Sequence, residues 1–548
     1  MNKLTKRLIY CLTQVLVIGF FTSCNLDEEL NSVYGVDNGY VTVENAQEGV
    51  NGIYRYLNTG THPSTFYLND MSTDACYKSG LDYEIMNDNN LAGNVDVARV
   101  YNGNWQMIGC ANSAIDNINL MDDSRFTDNK KQELLAEAHF MRAFAYYQLT
   151  NIFYRVPLIT NGFYDAAANP ALATIEELDN QIERDLLIAA NALPKSWENK
   201  EGGRPTVGAA YGYLMRLHMR KAGYLREKGQ DATTNWKAAL NYTDNVIGTG
   251  EYSLRPAIMD VFDPRSEASL DINEIIFAVR SSENIPSGSS DVALYFTPWY
   301  YNYGWDIFSI PLELYWKFDS ADERFSKLMV GEYPDVYDPD KLYKVPASID
   351  ETGTLNDETG NPIVVELAQA YTDKYIYTNA GTYNYNTPNN LPLLRYADVL
   401  LCKAEILNEL NGVNQQSIDL VNEIRKRAFG NTDHAISGFV TKEDLRNAIC
   451  DERLFELNNE GVRRIDLIRM GLWKDRLDKY MDAIQAKVEK KERNMGVASG
   501  SLSAEWSVYP KFSTNPLKKY DRRRYYPIPK VYTSKSPDLL NNRNFTEE

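Results

Sequence analysis

Apolar residues recur at helical spacing through most of this 548-residue chain, most densely at 392–473. Val399, Leu400, Ala404, Leu407 and Leu410 form one face there, Ile418, Val421 and Ile424 a second, and Leu445, Ile449, Leu454 and Leu457 a third. Each run has the period of an amphipathic helix. Gly412 and Gly430 follow the first two runs, where a helix end favours a residue that tolerates positive φ. Short connections make such helices antiparallel neighbours, and charge is expected on their outer faces. The third run also gathers Asp451, Glu452, Arg453, Glu456, Glu460, Arg463, Arg464 and Asp466. Arginines so near these acids keep them ionised rather than poised for proton transfer, so the group reads as a salt-bridged structural corner.

The same period marks the first half. Ala46, Val50, Ile53 and Leu57 predict a helix capped by Thr42, and Trp105, Ile108, Ile115 and Ile118 predict a second, whose spacing favours Trp105 as a core residue over a sugar platform. Residues 133–159 predict a long helix with Leu134, Ala138, Met141, Ala145, Leu149 and Ile152 on one face. Small residues beside aromatics let helices approach closely, as in tetratricopeptide pairs. Further helices are expected at 174–193, 206–225 and 236–247. Beyond 254 the pattern changes: residues 272–283 alternate like a strand, and 348–366 read as an exposed hairpin or loop because turn residues flank a short apolar run. The expected fold class is therefore mostly α. A tetratricopeptide-like helical-repeat scaffold over 24–254 precedes a region, 255–548, that combines loops and short strands with the three-helix array.

Residues 1–23 stand apart. Lys3, Lys6 and Arg7 precede a mostly apolar run ending in Phe21-Thr22-Ser23-Cys24, too short for a spanning helix. The segment resembles a bacterial lipoprotein signal in which Cys24 becomes the acylated first residue, and Phe21 stands where Leu is usual. The acids Asp27, Glu28 and Glu29 that follow resemble a surface-export signal. The net charge of −18 becomes −21 once these residues, with three cations and no acid, are removed. Such a surface offers nucleic acid no electrostatic footprint and is repelled by anionic lipid, so a lipid anchor rather than charge would hold the chain at a membrane. Cys76, Cys110, Cys402 and Cys450 have no metal-like spacing, and the last two fall within helical runs as small core residues.

Two stretches could carry recognition. Seven of the eleven residues 295–305 are aromatic, in the run YFTPWYYNYGW. Sugar rings present an apolar face to a π-surface while their hydroxyls need a few fixed amides or carboxylates. Trp299, Tyr301, Tyr303 and Trp305 would share one face of an extended loop, with Asn302 and Asp306 as polar partners. The alternative is that Tyr295 and Phe296 plug the core and the rest is a subunit contact. The second stretch is 70–94, where Asp74, Tyr77, Asn87 and Asn89 suit hydroxyl recognition or else form a solvated, self-capping loop. Tyr371, Tyr375, Tyr377, Tyr383 and Tyr385 alternate as in sheet packing. The four histidines sit in no HExxH pattern, and the chain has no GxSxG elbow, phosphate loop or EF-hand spacing. No catalytic residue, metal site or cofactor is expected.

Several motifs in order give a specific resemblance. LLRYADVLLCKAEILNEL, VNEIRKRA and ICDERLFELNNEGVRRIDLIRMG, with AEAHFMRAFAYYQLTNIFYRVPLI upstream and RRRYYPIPKVYTSKSPDLLNN near the end, resemble the SusD/RagB family of outer-membrane nutrient-binding lipoproteins. His139 replaces the usual Arg and Tyr154 the usual Gly, which read as neutral departures; Ser536 and Asn541 also differ from the usual ending. The resemblance implies a SusD-like fold, a lipid-anchored protein facing the cell exterior, and an oligosaccharide ligand handed to a SusC-like TonB-dependent transporter without bond cleavage. A peptide-binding member of the family, or an assembly scaffold without a small ligand, remains open.

Overall fold

The computed structural model describes residues 39–541 except 62–63, 72, 77–90, 163–169, 198–202, 264–272, 282–290, 303, 349–354, 368, 376–386 and 496–523. Among them, helices α1 (Val43–Thr61), α2 (Ser64–Asn69), α3 (Val95–Leu120), α4 (Lys130–Phe153), α5 (Ile175–Ala192), α6 (Val207–Glu227) and α7 (Thr233–Gly248) form the first half. They pack as successive pairs, α1 with α3, α4 with α5 and α6 with α7. Side chains set their starts: Asn94 caps α3, and Thr174 with Glu177 closes a capping box on α5, satisfying amides that otherwise lack partners.

The expected face of α4 is only part of what it buries. Every residue from Phe140 to Tyr154 is buried, as befits a helix enclosed on all sides. His139 of this helix is not a neutral departure, because its Nδ1 lies 2.7 Å from Asp185 of α5, which also accepts from Arg142.

The helical array does not end at residue 254. α7 packs on α10 (Tyr396–Asn411), which is followed by α11 (Gln415–Phe429), α12 (Lys442–Leu457), α13 (Arg463–Arg469) and α14 (Trp473–Met495). Gly412 and Gly430 have φ of 73° and 68° at the ends of α10 and α11. Between α7 and α10 lie the short helices α8 (Val292–Phe296) and α9 (Trp299–Asn302) and the strands β1 (Ile275–Val279), β2 (Glu332–Pro334), β3 (Leu342–Lys344), β4 (Pro362–Glu366), β5 (Gln369–Thr372) and β6 (Leu391–Arg395). β1 and β6 pair antiparallel, Ile275 with Arg395 and Val279 with Leu391. β2, β3 and β4 lie side by side, β3 and β4 parallel, and residues 355–356 return on β4 as the expected hairpin. β1 is buried on both faces, so its alternation does not separate core from solvent. Near the end, Tyr526 donates its amide to Ile152 and its hydroxyl to Leu68, seating this segment against α4. No described helix is long and apolar enough to cross a membrane.

Charge on α12 does not face outward as the pattern implied. Glu452, Arg453 and Glu456 are buried in a charge-matched assembly. Arg324 bonds Asp322, Glu452 and Glu456, and Arg395 bonds Glu274, Glu456 and Glu460. Lys374 bonds Glu460, Arg425 bonds Glu452, and Arg427 bonds Glu274 and Glu456. Five cations thus meet five carboxylates. A second set links Arg216, Arg453 and Arg469 to Asp398, Asp466 and Glu405, three against three. Burial opposes ionisation of Glu456, yet Arg427, Arg395 and Arg324 hold its carboxyl well below the usual range. The structural-corner reading therefore describes this stretch, moved from the surface into the interior.

Removing one member leaves a buried, uncompensated charge, a cost of about 3–5 kcal/mol. Glu456→Ala is expected to lose that much in a denaturant titration. Asp451→Ala, on a partly exposed side chain paired with Arg476, is expected to lose under about 1 kcal/mol. Equal losses would mean that the interior matching does not matter.

Asp70 behaves differently. Burial raises its pKa from 3.8 to about 7, against the pull of the Gly461 and Arg463 amides it accepts from. An acid whose folded pKa exceeds its unfolded one binds a proton on folding, so its contribution is full below 3.8 and is lost as pH rises to about 7. Asp70→Asn is therefore expected to gain stability relative to the parent chain as pH rises from about 5 to about 7. Parallel stability profiles for the two proteins would contradict this.

Candidate functional site

The aromatic stretch 295–305 is a compact double turn rather than an extended loop. α8 ends at Thr297, whose hydroxyl donates to Ala293 at 2.7 Å, and the chain then turns through α9. It doubles back so closely that a Cβ on Gly304 would lie 1.8 Å from the Thr297 carbonyl oxygen. Trp305 donates to Leu294, and Ile307 and Phe308 both donate to Tyr295.

This geometry sorts the aromatics. Phe296 is buried between Phe308 at 4.9 Å and Tyr375 at 5.2 Å, so it plugs the core. Trp305, half-buried, meets Tyr295 edge-on at 4.9 Å. Tyr301, also half-buried, rests on Tyr333 of β2 at 5.3 Å, and Tyr333 stacks on Tyr343 of β3 at 5.0 Å. Trp299 is 42% exposed. Residues two apart in a helical turn do not share a face, so the expected common face of Trp299, Tyr301, Tyr303 and Trp305 is corrected: Trp299 projects outward while Tyr301 and Trp305 brace the turn. Tyr303 and the Asn302 side chain lie outside what the structure describes.

The second stretch is corrected at Asp74. Its carboxylate takes two bonds from Arg463, at 2.7 and 2.8 Å, inside the protein; burial opposes its charge, but Arg463 keeps its pKa low. It is a structural counter-ion, because a buried guanidinium needs one. Tyr77, Asn87, Asn89 and the acylation candidate Cys24 lie outside the described residues. Trp105, half-buried, packs against the core between Tyr101 and Tyr146, each 6.0 Å away. The described residues hold no group of three or more His, Cys, Asp or Glu side chains arranged for a metal ion.

Two features beside Tyr301 and on the strands behind it have no strong signal in the sequence. Burial raises the pKa of Asp373 to about 6, and its charge is felt by the Tyr301 phenol. Its Oδ1 is buried without a hydrogen-bond partner among the described residues, so at neutral pH it is a carboxylate with acceptor capacity left. Tyr337, 56% exposed, stands in the β2–β3 turn, fixed by the Asp335 carboxylate that accepts from its amide at 2.8 Å. The platform therefore combines an outward indole with a backing of packed tyrosines, which suits a ring with an apolar face.

A family model described as the SusD family matches residues 214–545. The chain belongs to the SusD family. A second model, described as "Starch-binding associating with outer membrane", matches residues 24–219. Among relatives of this SusD-family chain, SusD-like protein P2 of Formosa agariphila is 25% identical over 503 residues, 84% of this chain and 91% of the relative. Its fold is that of a SusD homolog from Bacteroides thetaiotaomicron, with TM-score 0.68 and 21% identity over 92% of this chain and 97% of the other. It also matches surface glycan-binding protein A of the same organism, solved with laminarihexaose, with TM-score 0.67 and 18% identity over 92% of this chain and the whole of the other.

If Trp299 is the contact and its neighbours are the brace, the variants divide cleanly. Trp299→Ala is expected to weaken ligand binding by about 0.5–1.5 kcal/mol beyond the area it covers, with the melting temperature nearly unchanged. Tyr301→Ala and Trp305→Ala are expected to lower both, since each removes packing under the turn. A Trp299→Ala melt that falls as far as that of Tyr301→Ala would show the indole to be packing instead.

Proposed function

We propose that this SusD-family chain is a surface lipoprotein of the outer membrane that captures an oligosaccharide on the Trp299 platform. It passes the sugar to a SusC-like TonB-dependent transporter without breaking a bond. The observation that carries this reading is the exposed Trp299 indole on a turn immobilised by Phe296, Trp305 and the Tyr301–Tyr333–Tyr343 stack. A rigid aromatic loses little entropy on binding, so stacking energy goes into affinity. The laminarihexaose bound to a relative of the same fold supports a glycan as the ligand class. The family model's association with the outer membrane supports the location.

Anchoring follows from Cys24. A single acyl chain holds a protein only marginally, whereas several make attachment stable. Cys24→Ala is expected to move the protein from the membrane to the soluble fraction with its melt unchanged. Retention of that variant through high-salt and carbonate washes would contradict the anchor.

The ligand class is tested by presenting the Cys24→Ala protein to an array of glycans and peptides. Glycan binding that falls with Trp299→Ala is the expected result. Preference for peptides would replace the sugar reading with a peptide-binding one, and binding of neither would favour an assembly scaffold.

A further inference from the structure

A cleft of about 580 Å³ opens on the helical scaffold, where the C-terminal ends of α4 and α6 meet the N-terminus of α5. It shares no lining residue with the Trp299 platform. Tyr154, Tyr224 and Tyr525 form one wall: Tyr154 lies 4.7 Å from Tyr525 and 6.1 Å from Tyr224, with the Tyr154 and Tyr224 hydroxyls bonded. Tyr224 is the half-buried ring that the wall presents. The exposed Lys228 ammonium rests 4.5 Å from its centroid and can move aside for a ligand.

The backbone supports this wall at a cost. Tyr154 has φ 67° and ψ −76°, and the Arg155 amide donates to the Phe153 carbonyl at 2.9 Å. That is a γ-turn of the strained, positive-φ form, at the position where the family resemblance puts glycine. A tyrosine kept in that strained conformation marks a place where the side chain matters.

The opposite wall is polar, and apart from the exposed Glu176 its charges are paired. Arg220 pairs with Asp179, and Lys221 pairs with Glu183 at 2.9 Å. Exposed Asn180 and Gln230 add amide donors and acceptors. Behind the cleft is a niche of about 30 Å³ that shares Arg220, Tyr224 and Tyr525 with it, enough for one hydroxyl or water. Asn151 lines this niche at 5% exposure; its Oδ1 accepts from Arg220 at 3.0 Å, while its Nδ2 has no partner among the described residues.

We infer that this cleft is a second saccharide subsite, taking an uncharged sugar ring against Tyr224 with its hydroxyls on Asn180, Gln230 and the Arg220–Asp179 pair. A half-buried aromatic ring facing paired charges and amides suits a polyhydroxylated ring better than an ion or a hydrocarbon. The inference shares its ligand class with the platform reading but uses none of that site's residues, so the two can fail separately.

Saturation-transfer NMR on the detergent-solubilised full chain tests it, with laminarihexaose, maltohexaose and xylohexaose as millimolar probes. Trp299→Ala is expected to retain saturation transfer to at least one sugar. Adding Tyr224→Ala, or the bulky Asn180→Trp at an exposed position that leaves the core alone, is expected to weaken that residual binding at least tenfold. Residual binding that survives both double variants overturns the subsite. So does a silent Trp299→Ala beside a binding wild type, an outcome that leaves the platform standing. A wild-type chain that binds none of the probes overturns both readings.

Discussion

Charge matching inside the protein is the constraint on which the rest depends. Taking a guanidinium or carboxylate out of water costs several kcal/mol, and only an opposite charge in good geometry offsets it. The five-and-five and three-and-three assemblies meet that condition with groups from across the chain. Asp322, Arg324, Lys374, Arg395 and Glu274 come from the strand-rich insertion and its edges, and the rest largely from the helices after it. Apart from the local pairs Asp466–Arg469 within α13 and Asp322–Arg324, the counter-charges come from other elements, so the insertion and the helical array must form together. With these interior sets neutral, the net charge of −18 belongs to the other residues, where water screens it.

The same constraint stiffens the candidate binding surface. Lys374 lies within the larger assembly, and its neighbour Tyr375 supports Phe296 and donates its hydroxyl to Asn459. Phe296 ends α8, and the turn it anchors carries Trp299. A chain of packed rings and ion pairs therefore connects the interior of α12 to the exposed indole. A site built in this way presents its aromatic with little conformational entropy left to lose, which favours capture of a ligand from dilute solution. In the tyrosine-lined cleft, too, Arg220 and Lys221 are matched by Asp179 and Glu183.

The sequence by itself determined the family and most of the long helical runs, though not α14, and it marked the strand-rich stretch that begins with β1. These rest on local physics. A 3.6-residue period, glycine at a helix end and a capping Thr or Asn act within a few residues and are legible wherever they occur. The density of aromatics at 295–305 likewise marked the region, though not the residue, that carries exposure.

Tertiary structure decided the rest, because it alone supplies the other half of each interaction. Glu452 and Glu456 look like surface residues until Arg324, Arg395 and Arg427 arrive from elsewhere in the chain. Asp74 looks like a loop acceptor until Arg463, 389 positions away, claims it. Trp299, Tyr301 and Trp305 look equivalent until Gly304 folds the segment back on Thr297 and leaves one ring facing water. Burial and pairing depend on residues distant in sequence, so a local pattern fixes what each segment is but not what it meets.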